Sequence, residues 1–242
     1  LLLGGIYTIT SYYTFMNITG SKLRRLNEWV GRCSTMLSGG HRTADIAVLY
    51  PTESIWPKFI PARVGTTDDL SADYISQIYN ITASILYTSC RDFSYIDTAG
   101  VNGAKISNGA LTNGKLSYRV LVMPAVDTLP IAAWEKIADF WKSGGVVITV
   151  GSFPSNSESE FPSERVAEIA KEIFGKSDEM SVNTNTSGGT GIFLPKGSEY
   201  LLGKVLDSLV ENDIKLKDPE SQIRMTESLS IRVNAVAEQS RG

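Results

Sequence analysis

The sequence has a single histidine, His41, and only two cysteines, Cys33 and Cys90. One histidine excludes a multi-histidine metal site, and any Ser/His/Asp triad would have to use that residue. Two cysteines exclude a disulfide-stapled scaffold and a four-cysteine zinc site, and they leave the redox compartment open. No apolar run reaches the roughly 18 residues that a membrane-spanning helix needs, so no membrane partner is expected. Positive charge is not in excess: 23 Lys and Arg stand against 26 Asp and Glu, a formal net charge of −3. That balance argues against a phosphate-neutralising surface and against nucleic acid as a partner. The opening LLLGGIYTITSYYTFMN lacks an initiator Met and a basic leader region, and it is rich in Tyr and Thr, unlike a signal peptide. With the abrupt ending NAVAEQSRG, it reads as the inside of a longer chain.

What is present is the composition of a globular domain: 42% hydrophobic and 20% charged over 242 residues. That length suits one large domain or a compact domain with appendages. Residues 22–37 place Leu23, Leu26, Trp29, Val30, Cys33 and Leu37 at three- and four-residue spacings. This is an amphipathic helix with one apolar stripe, stopped by Ser38-Gly39-Gly40. Continuous apolar runs follow at 46–50, 93–97, 120–124 and 146–150. Such runs fit parallel strands buried on both faces. Helical patterns at 69–88, 130–142, 163–174 and 198–211 lie between and after them. The alternation predicts an α/β fold with an open, mostly parallel, doubly wound sheet. Residues 104–118, with Asn108-Gly109 and Asn113-Gly114, predict an inserted hairpin. Residues 181–191 read as a polar loop, and LSIRVNAVA near the end reads as an exposed strand of another domain.

In a doubly wound sheet, ligands bind beyond the carboxyl ends of the strands. Thr52, Glu53, Asp97, Asp127 and Ser152 fall there. Glu53, Asp97 and Asp127 are the candidates for a paired-carboxylate site of general acid/base type. The competing and preferred reading has Asp127 capping the following helix and Asp97 lying in a turn. A nucleophile elbow is not found, because Ser152 has Gly151 before it but lacks the flanking pattern. Neither cysteine occupies an elbow, and His41 reads as a loop histidine without a catalytic role. Gly188-Gly189-Thr190-Gly191 has no strand leading into it and no Lys-Ser/Thr after it, so a phosphate loop is not expected. Aromatics (Tyr7, Tyr12, Tyr13, Phe15, Trp29, Trp56, Phe59) crowd the first quarter, mostly as packing groups. Three Asn-x-Ser/Thr triplets begin at Asn17, Asn80 and Asn185, and they matter only in a eukaryotic secretory setting.

The segment LNEWVGRCSTMLSGG-HRTADIAVLYPTESIW resembles a junction in large multidomain bacterial glycoside hydrolases, including those akin to α-L-rhamnosidases. There a helix ends a catalytic (β/α)8 barrel, and a strand of the A-D-I-A-V-L-Y-P kind opens the next domain. DFSYIDTAGV, YRVLVMPAVDTLP and FWKSGGVVITVGSFP are similar to that next domain, a flavodoxin-like module related to class I glutamine amidotransferases and to the trimerisation domain of β-galactosidases. The resemblance covers roughly residues 20–175. It implies that residues 1–40 are the end of a barrel, 41–215 a flavodoxin-like accessory domain, and 216–242 the start of a β-rich domain. Tyr12 and Tyr13 would then lie near the active-site face as substrate-binding residues. The catalytic carboxylates would lie upstream, so this chain is expected to carry no catalytic residue, no metal and no cofactor. It would act as structural or substrate-pocket support in a carbohydrate-active parent. Its partners would be that carbohydrate, the barrel domain of the same protein and a further copy in a homo-oligomer, and the parent would be periplasmic or secreted. The competing functions are an independent hydrolytic enzyme using the strand-end carboxylates, and a pure oligomerisation module.

Overall fold

The computed structural model describes residues 15–41, 43–65, 67–176, 179–211 and 213. Its elements run α1 (Gly20–Leu37), β1 (Ile46–Leu49), α2 (Thr52–Ile55), α3 (Leu70–Thr88), β2 (Phe93–Ile96) and α4 (Thr98–Gly103). A small antiparallel meander follows, β3 (Lys105–Ser107), β4 (Ala110–Asn113) and β5 (Leu116–Tyr118). Then come β6 (Val120–Pro124), α5 (Ile131–Lys142), β7 (Val146–Gly151), α6 (Glu164–Phe174), β8 (Ser181–Thr184), β9 (Thr190–Pro195) and α7 (Leu202–Asp207).

Six strands form one sheet in the order β2-β1-β6-β7-β9-β8. All neighbours are parallel except β8, which pairs antiparallel with β9 at one edge. β1 is central to the first half: Ile46 is in register with Phe93 on one side and Val120 on the other. Every residue of β1 and β6 is buried, which is why both read as unbroken apolar runs. Alternate side chains feed two separate cores. Ala47, Leu49, Leu121, Met123 and Val147 pack with Trp134, Phe140 and Phe174 of α5 and α6. Ile46, Val48, Val120, Val122 and Ile148 pack with Ile75, Ile78 and Leu86 of α3 and Leu202 and Leu206 of α7. Helices therefore cover both faces of a mostly parallel sheet.

The four expected strands lie within a residue of their anticipated bounds, but other expectations need correction. The inserted hairpin is a three-stranded meander, turned at Asn108 (φ 50°) and Gly109 (φ 71°). The supposed loop 181–191 contains β8 and the start of β9, joined by a turn in which Asn185 Oδ1 accepts from Ser187 N and Gly189 N. The last helix is a 3-10 turn (Glu199–Leu201) leading into a shorter α7. The short helix α4 had no counterpart in the sequence reading. Helix α1 forms with its apolar stripe, yet none of its residues is buried and Trp29 is 60% exposed. No helix among the described residues is long and apolar enough to cross a membrane. Residues 216–242, read as the opening of another domain, lie outside the described residues, as do Tyr12 and Tyr13.

Candidate strand-end site

Three chain reversals at the carboxyl ends of β1, β2 and β6 bring the sequence candidates to one end of the sheet. After β6 the chain turns through Ala125, which holds a left-handed φ of 49° while its N–H donates to Val150 O at 2.7 Å. A non-glycine residue there is strained, and the surrounding bonds hold it in place. Ser54 of α2, fully buried, fastens this turn. Its hydroxyl accepts from Asp127 N (3.2 Å) and Thr128 N (3.1 Å) and donates to Thr128 O (3.0 Å).

Asp127 is fully engaged. Lys58 Nζ donates to its Oδ2 at 2.6 Å, and Thr128 Oγ1 donates to its Oδ1 at 2.8 Å. Asn156 Nδ2 in turn donates to Thr128 Oγ1 at 3.1 Å. The side chain does not cap α5, whose N-cap position is Pro130 with no side-chain cap, so the capping expectation for Asp127 is corrected. Asp97 is the N-cap of α4: its Oδ1 accepts from Gly100 N at 2.7 Å. Glu53 lies on α2, half-buried, with Oε2 enclosed and without a hydrogen-bond partner. Ser54, the neighbour of Glu53, thus ties the β1 end to the Asp127 turn, while Asp97 lies one strand away beyond β2.

The other candidates fall elsewhere. Ser152 follows Gly151, but α6 begins only at Glu164, so no strand-to-helix elbow presents its hydroxyl. His41 is exposed ahead of β1, and Cys33 and Cys90 are free and half-buried. No group of three or more His, Cys, Asp or Glu that could hold a metal occurs among the described residues.

Beside the Asp97 cap lies a cleft of about 450 Å³ lined by Tyr50, Thr52, Tyr95, Ile96, Asp97, Asn113, Leu116 and Tyr118. Sequence reading missed all of its aromatic walls. Tyr50 directly follows β1 and Tyr95 lies within β2, in segments read only as apolar runs and for their family resemblance, and Asn113 was visible only as a turn residue. Behind them Tyr79 of α3 stacks on Tyr95 (centroids 5.2 Å apart), and Tyr50 meets Tyr79 edge-on at 5.3 Å.

Two tyrosines near these strand ends hold their protons beyond the usual tyrosine value. Tyr79 is raised by burial first, then by its hydrogen bond with Tyr95. Tyr74 is raised by burial and then by the negative charge of Glu199. A raised folded-state value means that the unfolded chain loses these protons first. Their contribution to stability is fully present below about pH 10, the unfolded value, and is lost as pH climbs above it. Urea midpoints should therefore hold steady up to that pH and fall beyond it, less steeply in Tyr79→Phe. A midpoint independent of alkaline pH would refute the buried placement of these hydroxyls.

The fold belongs to a class found in solved structures of glycoside hydrolases. The β-galactosidase of Bacillus circulans sp. alkalophilus superposes with a TM-score of 0.56 at 10% identity, covering 84% of this chain and 37% of its own. Gan42B, a GH42 β-galactosidase of G. stearothermophilus, superposes at 0.53 with 13% identity, over 79% of this chain and 33% of its own. The cold-adapted β-galactosidase of Rahnella sp. R3 gives 0.53 at 11% identity, over 81% and 36%. The chain thus spans about a third of the length of the structures it matches. At these identities the likeness is one of fold. No protein-family model and no curated protein matches the sequence.

Proposed function

We propose that this chain carries the accessory α/β domain of a larger carbohydrate-active glycoside hydrolase and has no catalytic activity of its own. The observation that carries the proposal is the fold shared with part of three β-galactosidases, over about a third of each. The internal order of the parallel strands supports it. Taken in chain order, β1, β2, β6, β7 and β9 lie as 2-1-3-4-5, the order of flavodoxin-like sheets. A kinship with glutamine amidotransferases would be architectural, since no cysteine follows a strand of this sheet at an elbow. The strand-end acids favour a supporting role. Asp127, paired with Lys58 and Thr128, is not free to serve as one of the two facing carboxyls that glycoside cleavage needs.

In this reading residues 1–40 complete an upstream (β/α)8 barrel, with α1 as one of its outer helices. The apolar stripe of α1, none of it buried and with Leu26 and Trp29 exposed, supports that assignment. Tyr12 and Tyr13 would contact substrate from the barrel side, and residues 216–242 would open the β-rich domain that follows. The domain's partner is then the barrel of the same protein, and copies of the parent would associate as a homo-oligomer. Deleting residues 1–38 tests the boundary. Because no residue of α1 is buried, the truncated chain should melt as the full chain does, and it should sediment with less self-association. Loss of the cooperative melt on truncation would make that segment integral to the α/β domain and overturn the barrel assignment.

A further inference from the structure

We propose that the cleft at the carboxyl ends of β1 and β2 is a saccharide-binding site in its own right, taking a neutral pyranose. Its apolar surface comes from Tyr50 and Tyr95, which are 48% and 50% exposed. These rings are not free to swing. Tyr79 stacks against Tyr95 at an interplanar angle of 29°, Tyr50 abuts Tyr79 at 81°, and Phe93 meets the Tyr95 ring edge-on at 5.4 Å. A ligand that lies on them therefore costs little ordering of side chains. Tyr118, only 1% exposed, closes the cleft below.

Polar groups complete the lining. Asp97 gives one carboxylate oxygen to Gly100 N, and its Oδ2 accepts no bond among the described residues. The Asn113 carboxamide offers both donors and an acceptor, and Thr52 offers a hydroxyl. Asn113 is held close above α4: a Cβ on Gly100 would stand 3.0 Å from its Nδ2 and 2.8 Å from Ile96 Cγ1. That glycine keeps the Asp97 cap and the Asn113 turn side by side.

The ligand class follows from what the cleft would reject. The Asp97 carboxylate repels phosphates, sulfates and carboxylates. A single carboxylate is too few for a divalent cation. A wholly apolar molecule would desolvate Asp97 Oδ2 and the Asn113 amide without replacing their bonds to water, which is unfavourable. A pyranose meets both halves, with C–H groups on the tyrosine faces and hydroxyls that donate to a carboxylate and exchange bonds with an amide. About 450 Å³ leaves room for a monosaccharide or a disaccharide. This site does not depend on the domain's belonging to a glycoside hydrolase, and the chain alone can be tested for it.

The test is an NMR titration of the 242-residue chain with methyl β-D-galactopyranoside, methyl β-D-glucopyranoside and lactose, and separately with inorganic phosphate. Expected is saturable, millimolar binding of at least one saccharide, with shifts at the Tyr50 and Tyr95 rings and none with phosphate. Affinity should fall roughly tenfold in Tyr50→Ala and in Asp97→Asn. Asparagine keeps the oxygen that caps α4, so the second variant removes the charge without removing the cap. An unchanged thermal melt of Asp97→Asn establishes that its loss of affinity is not unfolding. No saturable shift with any of the three saccharides overturns the proposal. So does saccharide binding that survives both substitutions, or ring shifts produced by phosphate.

Discussion

Trp134→Ala should remove about 3–5 kcal/mol of folding stability, the range seen when a large buried aromatic is truncated. Trp134 is 1% exposed and belongs to the larger of the two cores, between α5 and the sheet. Its indole N–H also donates to Asn156 O at 3.1 Å, and the same oxygen accepts from Leu129 N at 3.3 Å. Asn156 in turn holds Thr128, so the tryptophan steadies the turn that carries Asp127. Alanine would leave a void under α5 and loosen that turn. Against a typical total of about 5–15 kcal/mol, such a loss takes the chain close to unfolding. Urea denaturation should show a lower midpoint at an unchanged slope. A loss below about 1 kcal/mol would mean that α5 does not pack on the sheet as described.

Gly191→Ala should cost about 3 kcal/mol or more, at the upper end for overpacking, because the obstruction is backbone. A Cβ at Gly191 in β9 would stand 2.0 Å from Ile173 O and 2.7 Å from Ile173 C in α6. Neither atom can swing aside, so the whole of α6 would have to lift from the sheet. Gly145→Ala makes an instructive comparison: its nearest obstructions are atoms of the buried Phe140 ring, a side chain whose shift would disturb the core but not displace helix backbone. A smaller loss is expected there. Equal melting of Gly191→Ala and the parent chain would show that β9 does not lie flush against α6.

The same glycine explains what the sequence concealed. β1, β6 and β7 were legible because burial on both faces leaves their composition almost wholly apolar. β9 was not, since Gly191 and Gly189 serve close backbone approach to α6 and to Trp141 O, and the cluster around them imitates a loop. The candidate site was half legible for a related reason. Strand-end position is a local property, so Glu53, Asp97 and Asp127 could be found from the sequence. What each carboxylate does is set by distant partners. Asp127 is paired with Lys58, 69 residues earlier, and no spacing rule anticipates that. Tyr50 follows β1, Tyr79 lies on α3 and Tyr95 in β2, and only the crossover from β1 through α3 to β2 brings them together.

That the domain supports catalysis without performing it can be measured most directly by assaying two proteins side by side on nitrophenyl glycosides, β-galactosides included. One is the 242-residue chain, and the other is a longer product of the same gene that includes the proposed barrel. The expected result is hydrolysis by the longer protein alone, with the short chain at the rate of buffer. Hydrolysis by the short chain that disappears in Glu53→Gln or Asp127→Asn would contradict it, and would place the active site at the strand ends of this sheet.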